Sequence, residues 1–538
     1  IAPINSIGDK EGTRVEDGQV RVPKAFQAAY RQFAENGWGG LAQPTAFGGQ
    51  GLPYLVGLAV EEMWQSASLA WSLCPLLTQG AARAIEEHGD AALKERMLEK
   101  MVTGEWTGTM NLTEPQAGSD LSTVRTTAEP DGDVYRISGQ KIFITWGDHD
   151  MTDNVVHLVL ARLPGAPEGT RGISLFAVPK RLINADGSPG EANGVRPVSV
   201  EHKLGIHGSP TCVMAYDRAL GYLVGPPNQG LGCMFTMMNH ARIGVGLEGV
   251  AISERAYQQA LAYARDRVQG RVPGRDGQVP IVHHPDVRRM LMTIKASVEA
   301  MRALALVTGA HLDHAHRNPD EAARAAHDDR VQLLTPVVKG WCTETAQHLT
   351  SMAIQVYGGM GYVEETGIAQ HYRDARITTI YEGTTGIQAN DLIGRKTLRD
   401  GGLVFRALLD DMRQTQEQLA GRARLEGIHT ALTAGVDGLA GALDWVLAHA
   451  ARDPVTAGAA AYNLLMLTGI VAGGWQMARA AAVAAEALAA ETTDPGFYRA
   501  KLATADFYAR QIMPQALTYS RAVTGGSDAV MGVPEDLL

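Results

Sequence analysis

The stretch VYRISGQKIFITWG, Val134–Gly147, sets the reading of the whole chain. Its two runs, VYRIS and KIFIT, are rich in β-branched and aromatic residues and are separated by Gly139, which favours strand over helix. Further short runs follow, VVHLVLA, ISLFAV and TCVMAY, divided by Gly, Pro and Asp clusters. They mark a small antiparallel sheet or barrel from about Glu105 to Gly225, with DGSPGEANG as a long polar loop or hairpin extension. On either side the period changes. Upstream, AFQAAYRQFAENGW, LVGLAVEEMWQSASLAWSL and AALKERMLEKMVTG place apolar residues three and four apart. Downstream, helical patterns cover GCMFTMMNHARIGVGLEGVAISERAYQQALAYARDRV, then 286–313 and 321–356, and an Ala-rich helical block runs on from Arg399. The expected class is α+β, mostly α: an N-terminal helical domain (1–104), a middle antiparallel β-domain (105–228), a C-terminal helical bundle (229–399) and a helical extension (400–538).

Bulk composition narrows the function. A chain of 538 residues, 45% hydrophobic and 20% charged, fits a globular protein of several structural units. Its formal net charge of −10 disfavours a nucleic-acid partner, which needs a basic face. Cys74, Cys212, Cys233 and Cys342 lie far apart, so they read as reduced core thiols rather than a disulfide frame or zinc site. The opening IAPINSIGDKEG has no signal-peptide pattern, and a cytoplasmic location is expected. Pro454–Ala478 reaches membrane-spanning length without a charge, but its Ala, Gly and Thr content, with Asn463 and Gln476 inside, suits a buried bundle helix better.

Four motifs invite chemistry. GVGLEG, with Gly244, Gly246 and Gly249, matches a dinucleotide fingerprint in letters only, because it lies inside a helical run instead of following a strand. Its small residues suit close helix packing. In HLDHAH, only His311 and His314 share a helical face and His316 does not, so a solvated helix end is expected and no metal. TMNLTEPQAGSDLS, Thr109–Ser122, turns at Glu114-Pro115 and then gathers small residues and hydroxyls, a loop able to present donors to a planar or anionic group. Finally, ITTIYEGTTGIQAND sets Glu382 between Tyr381 and Gly383 in an otherwise uncharged run up to Asp391. Such a partly dry carboxylate is suited to act as a base.

Three of these segments, LTEPQAGSD, KIFITWG and IYEGTTGIQ, resemble signature segments of the flavin-dependent acyl-CoA dehydrogenases, and QVYGGMGYVEE resembles their FAD-binding glycine segment. Order and spacing agree over Val20–Thr397. The resemblance implies FAD as cofactor and Glu382 as catalytic base. It places Leu112 and Thr113 on the pyrimidine side of the flavin, Phe143 against its ring, Thr145 near its N5, and Ser119 at the boundary with substrate. Arg267 and Gln269, with Gln355, Gly358 and Gly359, correspond to contacts with the pyrophosphate and adenosine, commonly made across a subunit interface. Thr384 corresponds to a further cofactor contact, and Arg242, Tyr381 and Gly383 to the substrate side. Gly386 departs from the glutamine usual in medium-chain members. Some members carry their base just before the arginine of MMNHARIGVG; here that residue is Ala241, which accepts no proton, and the role stays with Glu382.

The implied activity is 2,3-desaturation of an acyl-CoA thioester, with an electron-transfer flavoprotein or similar acceptor and a homodimer or dimer of dimers. The length past Leu398, EHKLGIHGSPTCVM and YARDRVQGR look most similar to the C-terminally extended bacterial branch that includes 3-methylmercaptopropionyl-CoA dehydrogenase. A straight medium- or long-chain acyl-CoA dehydrogenase and an acyl-CoA oxidase are the alternatives. A non-catalytic flavoprotein scaffold is disfavoured, since the base and the flavin-side hydroxyls are all present. The extension lacks a basic amphipathic face, so membrane association is not expected and it is read as burying surface within or between subunits.

Overall fold

Val134–Thr145 folds as one continuous strand, not two, because Gly139 adopts an extended backbone at φ 154 and carries the chain through. A Cβ there would lie 2.5 Å from the Thr126 hydroxyl oxygen, so only glycine fits. The computed structural model describes residues 1–451, 453–490 and 492–538. It divides into two units, Ile1–Gly244 and Val245–Leu538.

The first unit begins with α1 (Asn5–Glu11), a short hairpin of β1 (Arg14–Glu16) and β2 (Gln19–Arg21), α2 (Lys24–Glu35), α3 (Tyr54–Ala67), α4 (Leu69–His88) and α5 (Ala91–Val102). The hairpin lies within the expected N-terminal helical domain (1–104) but ahead of its first helical pattern, AFQAAYRQFAENGW. Its turn, Asp17-Gly18, has positive φ at both residues (51° and 73°), the conformation that matches the twist of two paired strands. Asp90 caps α5 by accepting the Leu93 N–H at 2.7 Å.

The sheet follows: β3 (Thr107–Asn111), β4 (Thr127–Asp131), β5 (Val134–Thr145), β6 (Val155–Arg162), β7 (Ile173–Pro179), β8 (Arg181–Ile183), β9 (Pro189–Ala192), β10 (Val195–Val200) and β11 (Thr211–Val224). β11 pairs with β5, β5 with β4, β4 touches β6, β6 pairs with β7, and β7 returns to β11. The ring is therefore closed, with β10 and β3 added outside it. All pairs are antiparallel except β3 with β6 and the single β4–β6 bridge. DGSPGEANG forms the β8–β9 hairpin. The run VVHLVLA is apolar except for the buried His157 because β6 is buried on both faces: Val156, Leu158 and Leu160 pack with Met97, Leu98 and Trp106, while Val159 and Ala161 pack with Ile137 and Phe176.

The second unit starts inside α6 (Gly230–Asp266), a helix that begins in the first. It continues through α7 (Pro285–Arg317), α8 (Glu321–Tyr357), α9 (Ile368–Ala375), α10 (Thr385–Asn390), α11 (Leu403–Leu419), α12 (Glu426–His449), α13 (Pro454–Ala489), α14 (Pro495–Phe507) and α15 (Gln515–Val523). A three-residue link makes α7 and α8 antiparallel neighbours. The glycines of GVGLEG serve packing. A Cβ on Gly246 would meet the Val338 carbonyl at 2.8 Å, and one on Gly249 the Cys342 carbonyl at 2.7 Å, so α6 and α8 cross backbone to backbone. All four cysteines are buried and free.

The extension packs onto α8. Gly469 and Gly473 of α13 leave room for the Trp341 ring, and Gly340 of α8 receives Leu465. Tyr508 donates to the Ile470 carbonyl at 2.9 Å, and the Trp475 indole N–H to the Thr415 hydroxyl at 2.7 Å. Among the described residues, 423–449 and α13 are long and apolar enough to cross a membrane; two thirds of the most apolar window of α13, 67%, is buried inside the fold. Because a Cβ at Gly469 would sit 2.1 Å from the Trp341 ring, Gly469→Val is expected to destabilise the protein by about 1–3 kcal/mol through overpacking. Urea unfolding read by tryptophan fluorescence checks this.

Candidate active site

In the first unit the segment Leu112–Thr145 is organised by a buried ion pair. The Lys141 ammonium, with no exposed side-chain surface, donates to a Glu114 carboxylate oxygen at 2.8 Å and to the Leu112 carbonyl at 3.0 Å. Glu114 also accepts from the Thr126 hydroxyl at 2.6 Å and from the Arg125 and Thr126 N–H groups. Burial alone would raise the Glu114 pKa; the Lys141 charge and these hydrogen bonds outweigh it and hold the carboxyl down at about 2. Burial likewise lowers Lys141 to about 8 against the opposing pull of Glu114. The Ile142 N–H then bonds the Thr113 carbonyl at 2.9 Å, tying Leu112–Thr113 to β5.

Phe143 owes its position to a bulge. Cys212 pairs with Ile144 and Met214 with Lys141, so Ile142 and Phe143 together face the single residue Val213. Phe143 takes φ 58°, unusual for an aromatic residue, and its ring is turned outward with the residue 60% exposed. Thr113 and Thr145 are half-buried and Ser119 is exposed. Arg242, also in this unit, is buried on α6, bonds the Asn239 side chain at 3.3 Å and lies over the Phe235 ring.

In the second unit Glu382 sits on a tight turn between a short helical turn, Arg376–Thr379, and α10. Glu382 and Gly383 both have left-handed backbone, at φ 54° and 87°. A side chain at 383 would be strained by that φ and would meet the Gln388 amide nitrogen at 2.8 Å, so glycine is required by conformation, whatever approaches the loop. Three contacts hold the turn. The Lys339 ammonium, fully buried on α8, donates to the Gly383 carbonyl at 2.7 Å. The Gln388 amide donates to the Glu382 carbonyl at 3.1 Å and to that of Gly383 at 3.4 Å. The Tyr381 hydroxyl donates to the fully buried Glu248 carboxylate. Burial, and then the Glu248 charge, push the Tyr381 pKa well above its ordinary value, so the hydroxyl keeps its proton. Thr384 caps α10, accepting the Ile387 N–H at 3.3 Å.

The remaining residues gather at another place in this unit. Tyr263 near the end of α6 stacks on Tyr357 at the end of α8, ring centroids 4.1 Å apart. Arg267 and Gln269 follow Tyr263, and Gln355, Gly358 and Gly359 surround Tyr357; all five are exposed. A Cβ at Gly358 or Gly359 would meet nothing within 4 Å, so the bare backbone borders open space. Gly358, just past the end of α8, lies nineteen residue steps from Lys339, about 28 Å at the α-helical rise. Within one chain, then, the Glu382 turn and this glycine segment are different places.

Lys141, Lys339, Glu248 and Gln388 were not singled out as site residues by sequence reasoning. Each of the three charged residues stands alone in an apolar or small-residue run (QKIFIT, PVVKGW, GLEGVA), a readable sign of a buried charge with a distant partner. The HLDHAH segment differs from a solvated helix end: His311 Nδ1 meets His327 Nδ1 of α8 at 2.7 Å, and His314 stacks on His327. Burial, then Arg330, lower His311 to about 4. No group of three or more side chains that could hold a metal occurs among the described residues.

A helical region, a closed β-barrel and a helical bundle, with an outward-facing aromatic on a bulge and an acid on a left-handed turn, define the acyl-CoA dehydrogenase class of flavoproteins. The comparisons agree: family models described as the acyl-CoA dehydrogenase N-terminal, middle and C-terminal domains match residues 10–105, 109–219 and 228–397, and one described as "Acetyl-CoA dehydrogenase C-terminal like" matches 408–534. The chain is 51% identical over 535 residues to 3-methylmercaptopropionyl-CoA dehydrogenase of Ruegeria pomeroyi, covering 99% of this chain and 91% of that one. It is 38% identical to the broad-specificity linear acyl-CoA dehydrogenase FadE5 of Mycobacterium tuberculosis, covering 94% and 85%. In fold it is similar to an acyl-CoA dehydrogenase complexed with FAD from Bacillus anthracis, with TM-score 0.77, 21% identity and coverage of 96% and 84%. The chain belongs to the acyl-CoA dehydrogenase family and is an FAD-dependent acyl-CoA dehydrogenase.

Glu114 gives the candidate segment of the first unit a pH signature. Its carboxyl titrates at about 2 in the fold against an ordinary 4.5, so its stabilisation is complete above pH 4.5 and is lost as the pH falls towards 2. The lost amount is about 3 kcal/mol at 1.36 kcal/mol per pH unit. Lys141→Met, which leaves the carboxylate buried without its partner, is expected to cost about 3–5 kcal/mol at pH 7 and to flatten this acid limb. Urea unfolding of both proteins between pH 2 and 7 measures it.

Proposed function

We propose that the chain desaturates a short acyl-CoA thioester, of the 3-methylmercaptopropionyl type, with Glu382 as the base that removes the α-proton. One observation carries the assignment. Glu382 is the acid of the turn built by the buried side chains of Lys339 and Gln388 and by the Tyr381–Glu248 contact, in a strained conformation that such surroundings must maintain. The identity of 51% to the Ruegeria enzyme supports the choice of thioester.

The residues present fit FAD. The outward Phe143 ring offers a flat apolar face, Thr113 and Thr145 offer hydroxyls, and the open backbone at Gly358 and Gly359 beside Arg267 offers room and charge for a pyrophosphate. When bound, the flavin supplies acceptance of the β-hydrogen as hydride, which no side chain can do. Leu112, Thr113, Phe143 and Thr145 would hold its ring system; Gln269 and Gln355 would join Arg267 and the two glycines at the other end, which a single chain separates by about 28 Å along α8 from the Lys339 that holds the Glu382 turn. That separation favours an assembly in which one subunit completes the cofactor site of another, a homodimer or dimer of dimers. Ser119, Thr384, Tyr381, Gly383 and Arg242 are assigned to cofactor or substrate contacts by family correspondence. Thr384 and Tyr381 already serve as helix cap and Glu248 donor.

An α-proton beside a thioester is far less acidic than a carboxylic acid, so the base must be held in place and kept from water to work. Glu382→Gln is expected to bind FAD normally yet lose roughly 10³-fold or more in turnover. Activity within about tenfold of wild type would remove Glu382 from the role. Anaerobic bleaching of the flavin by a panel of CoA thioesters tests the substrate. The 3-methylmercaptopropionyl thioester should bleach it faster than straight medium- or long-chain ones. Hydrogen peroxide release without an added acceptor would identify an oxidase instead of a dehydrogenase serving an electron-transfer flavoprotein.

A further inference from the structure

The turn that carries Glu382 is gripped from inside the helical bundle. Lys339 lies in the middle of α8 with no exposed surface, and its ammonium donates to the Gly383 carbonyl at 2.7 Å. A glutamate at φ 54° followed by a glycine at φ 87° is a turn that relaxes unless its surroundings fix it. The Gln388 amide reaches the same carbonyl only at 3.4 Å and bonds the Glu382 carbonyl at 3.1 Å, so Lys339 is the shorter contact on Gly383. The location of Lys339 is itself fixed. Its neighbours Val338 and Cys342 are the residues against which Gly246 and Gly249 of α6 pack backbone to backbone, so α8 cannot slide or rotate there. The same crossing brings Glu248, between those two glycines, to the hydroxyl of Tyr381 on the other side of Glu382.

We propose that Lys339 is a positioning residue for the α-proton abstraction: by holding the Gly383 carbonyl it fixes the Gly383–Thr384 peptide, one residue past Glu382, and with Gln388 on the Glu382 carbonyl it sets the turn from which the carboxylate points. The proposal rests on the assignment of Glu382 as the base. Lysine suits the task, since a long apolar stem can carry its ammonium through a packed interior and the compact ammonium can bond a carbonyl oxygen without the planar partner that a guanidinium favours. A base moved by about 1 Å loses about a hundredfold in rate while substrate binding is little changed, which separates positioning from binding.

The test compares Lys339→Met, Lys339→Gln and Glu382→Gln with wild type as purified, FAD-loaded enzymes. Lys339→Met is expected to keep its flavin content and a KM within about twofold, to lose about 10–100-fold in kcat, and to show a larger isotope effect with α-deuterated thioester, because proton removal has become harder. Lys339→Gln, which keeps a donor on a shorter arm, should fall between. A kcat within about threefold of wild type for Lys339→Met, beside an inactive Glu382→Gln, overturns the positioning role and leaves the base intact. Loss of flavin and of folded protein in both lysine variants also overturns it, since Lys339 would then serve the fold alone. An active Glu382→Gln overturns the base assignment and the proposal with it.

Discussion

A buried ammonium bonded to a backbone carbonyl is the interaction on which the candidate segment of each unit depends. Lys141 holds the Leu112 carbonyl in the first unit and Lys339 the Gly383 carbonyl in the second, and neither side chain has any exposed surface. Stripping water from an ammonium costs several kcal/mol, so such a residue persists only where its bonds repay that loss. In both cases the carbonyl lies in a segment with no regular structure of its own, where a helix or sheet ladder cannot supply the missing partner. The irregular backbone and the lysine therefore require one another.

From this follows the arrangement of the second unit. α8 is a spine that meets three things within five residues: the crossing with α6 at Val338 and Cys342, the Glu382 turn through Lys339, and the extension through Gly340 and Trp341. The tail helices thus do more than cover apolar surface. They back the helix from which the turn is held, and the Gly469–Gly473 stripe of α13 lets them do so at close range. A chain ending near Leu398 would leave Gly340 and the Trp341 ring on this face of the spine without their present neighbours.

Much of the fold was legible in the sequence because it rests on local periodicity. The change from three-and-four spacing to β-rich runs at Glu105, and back at Gly230, is a property of neighbouring residues, and the helical setting of GVGLEG followed from the same pattern. The Asp17-Gly18 hairpin carried its own two-residue signal, but its strands of three residues each are too short for an alternating pattern to show. The site was legible only as far as motif resemblance reached. Glu382 could be picked out as a lone acid; that Gly383 answers to its φ and to Gln388 could not, because both depend on contacts within the folded turn. Lys141, Glu248, Lys339 and His327 were passed over for the same reason. Their partners lie 16 to 133 positions away in sequence, and only the fold brings them together.

The bulge at Phe143 sets a rule for length. Between Lys141 and Ile144 the strand holds two residues where β11 holds one, and that surplus is what turns the phenyl ring outward while Ile144 and Lys141 both stay inside. Removing one residue from this interval would restore plain pairing but erase the outward ring; adding one would swap the inner and outer faces for everything up to Trp146. Proteins sharing this barrel and its outward aromatic are therefore bound to an ungapped count across these few positions, however far their side chains drift.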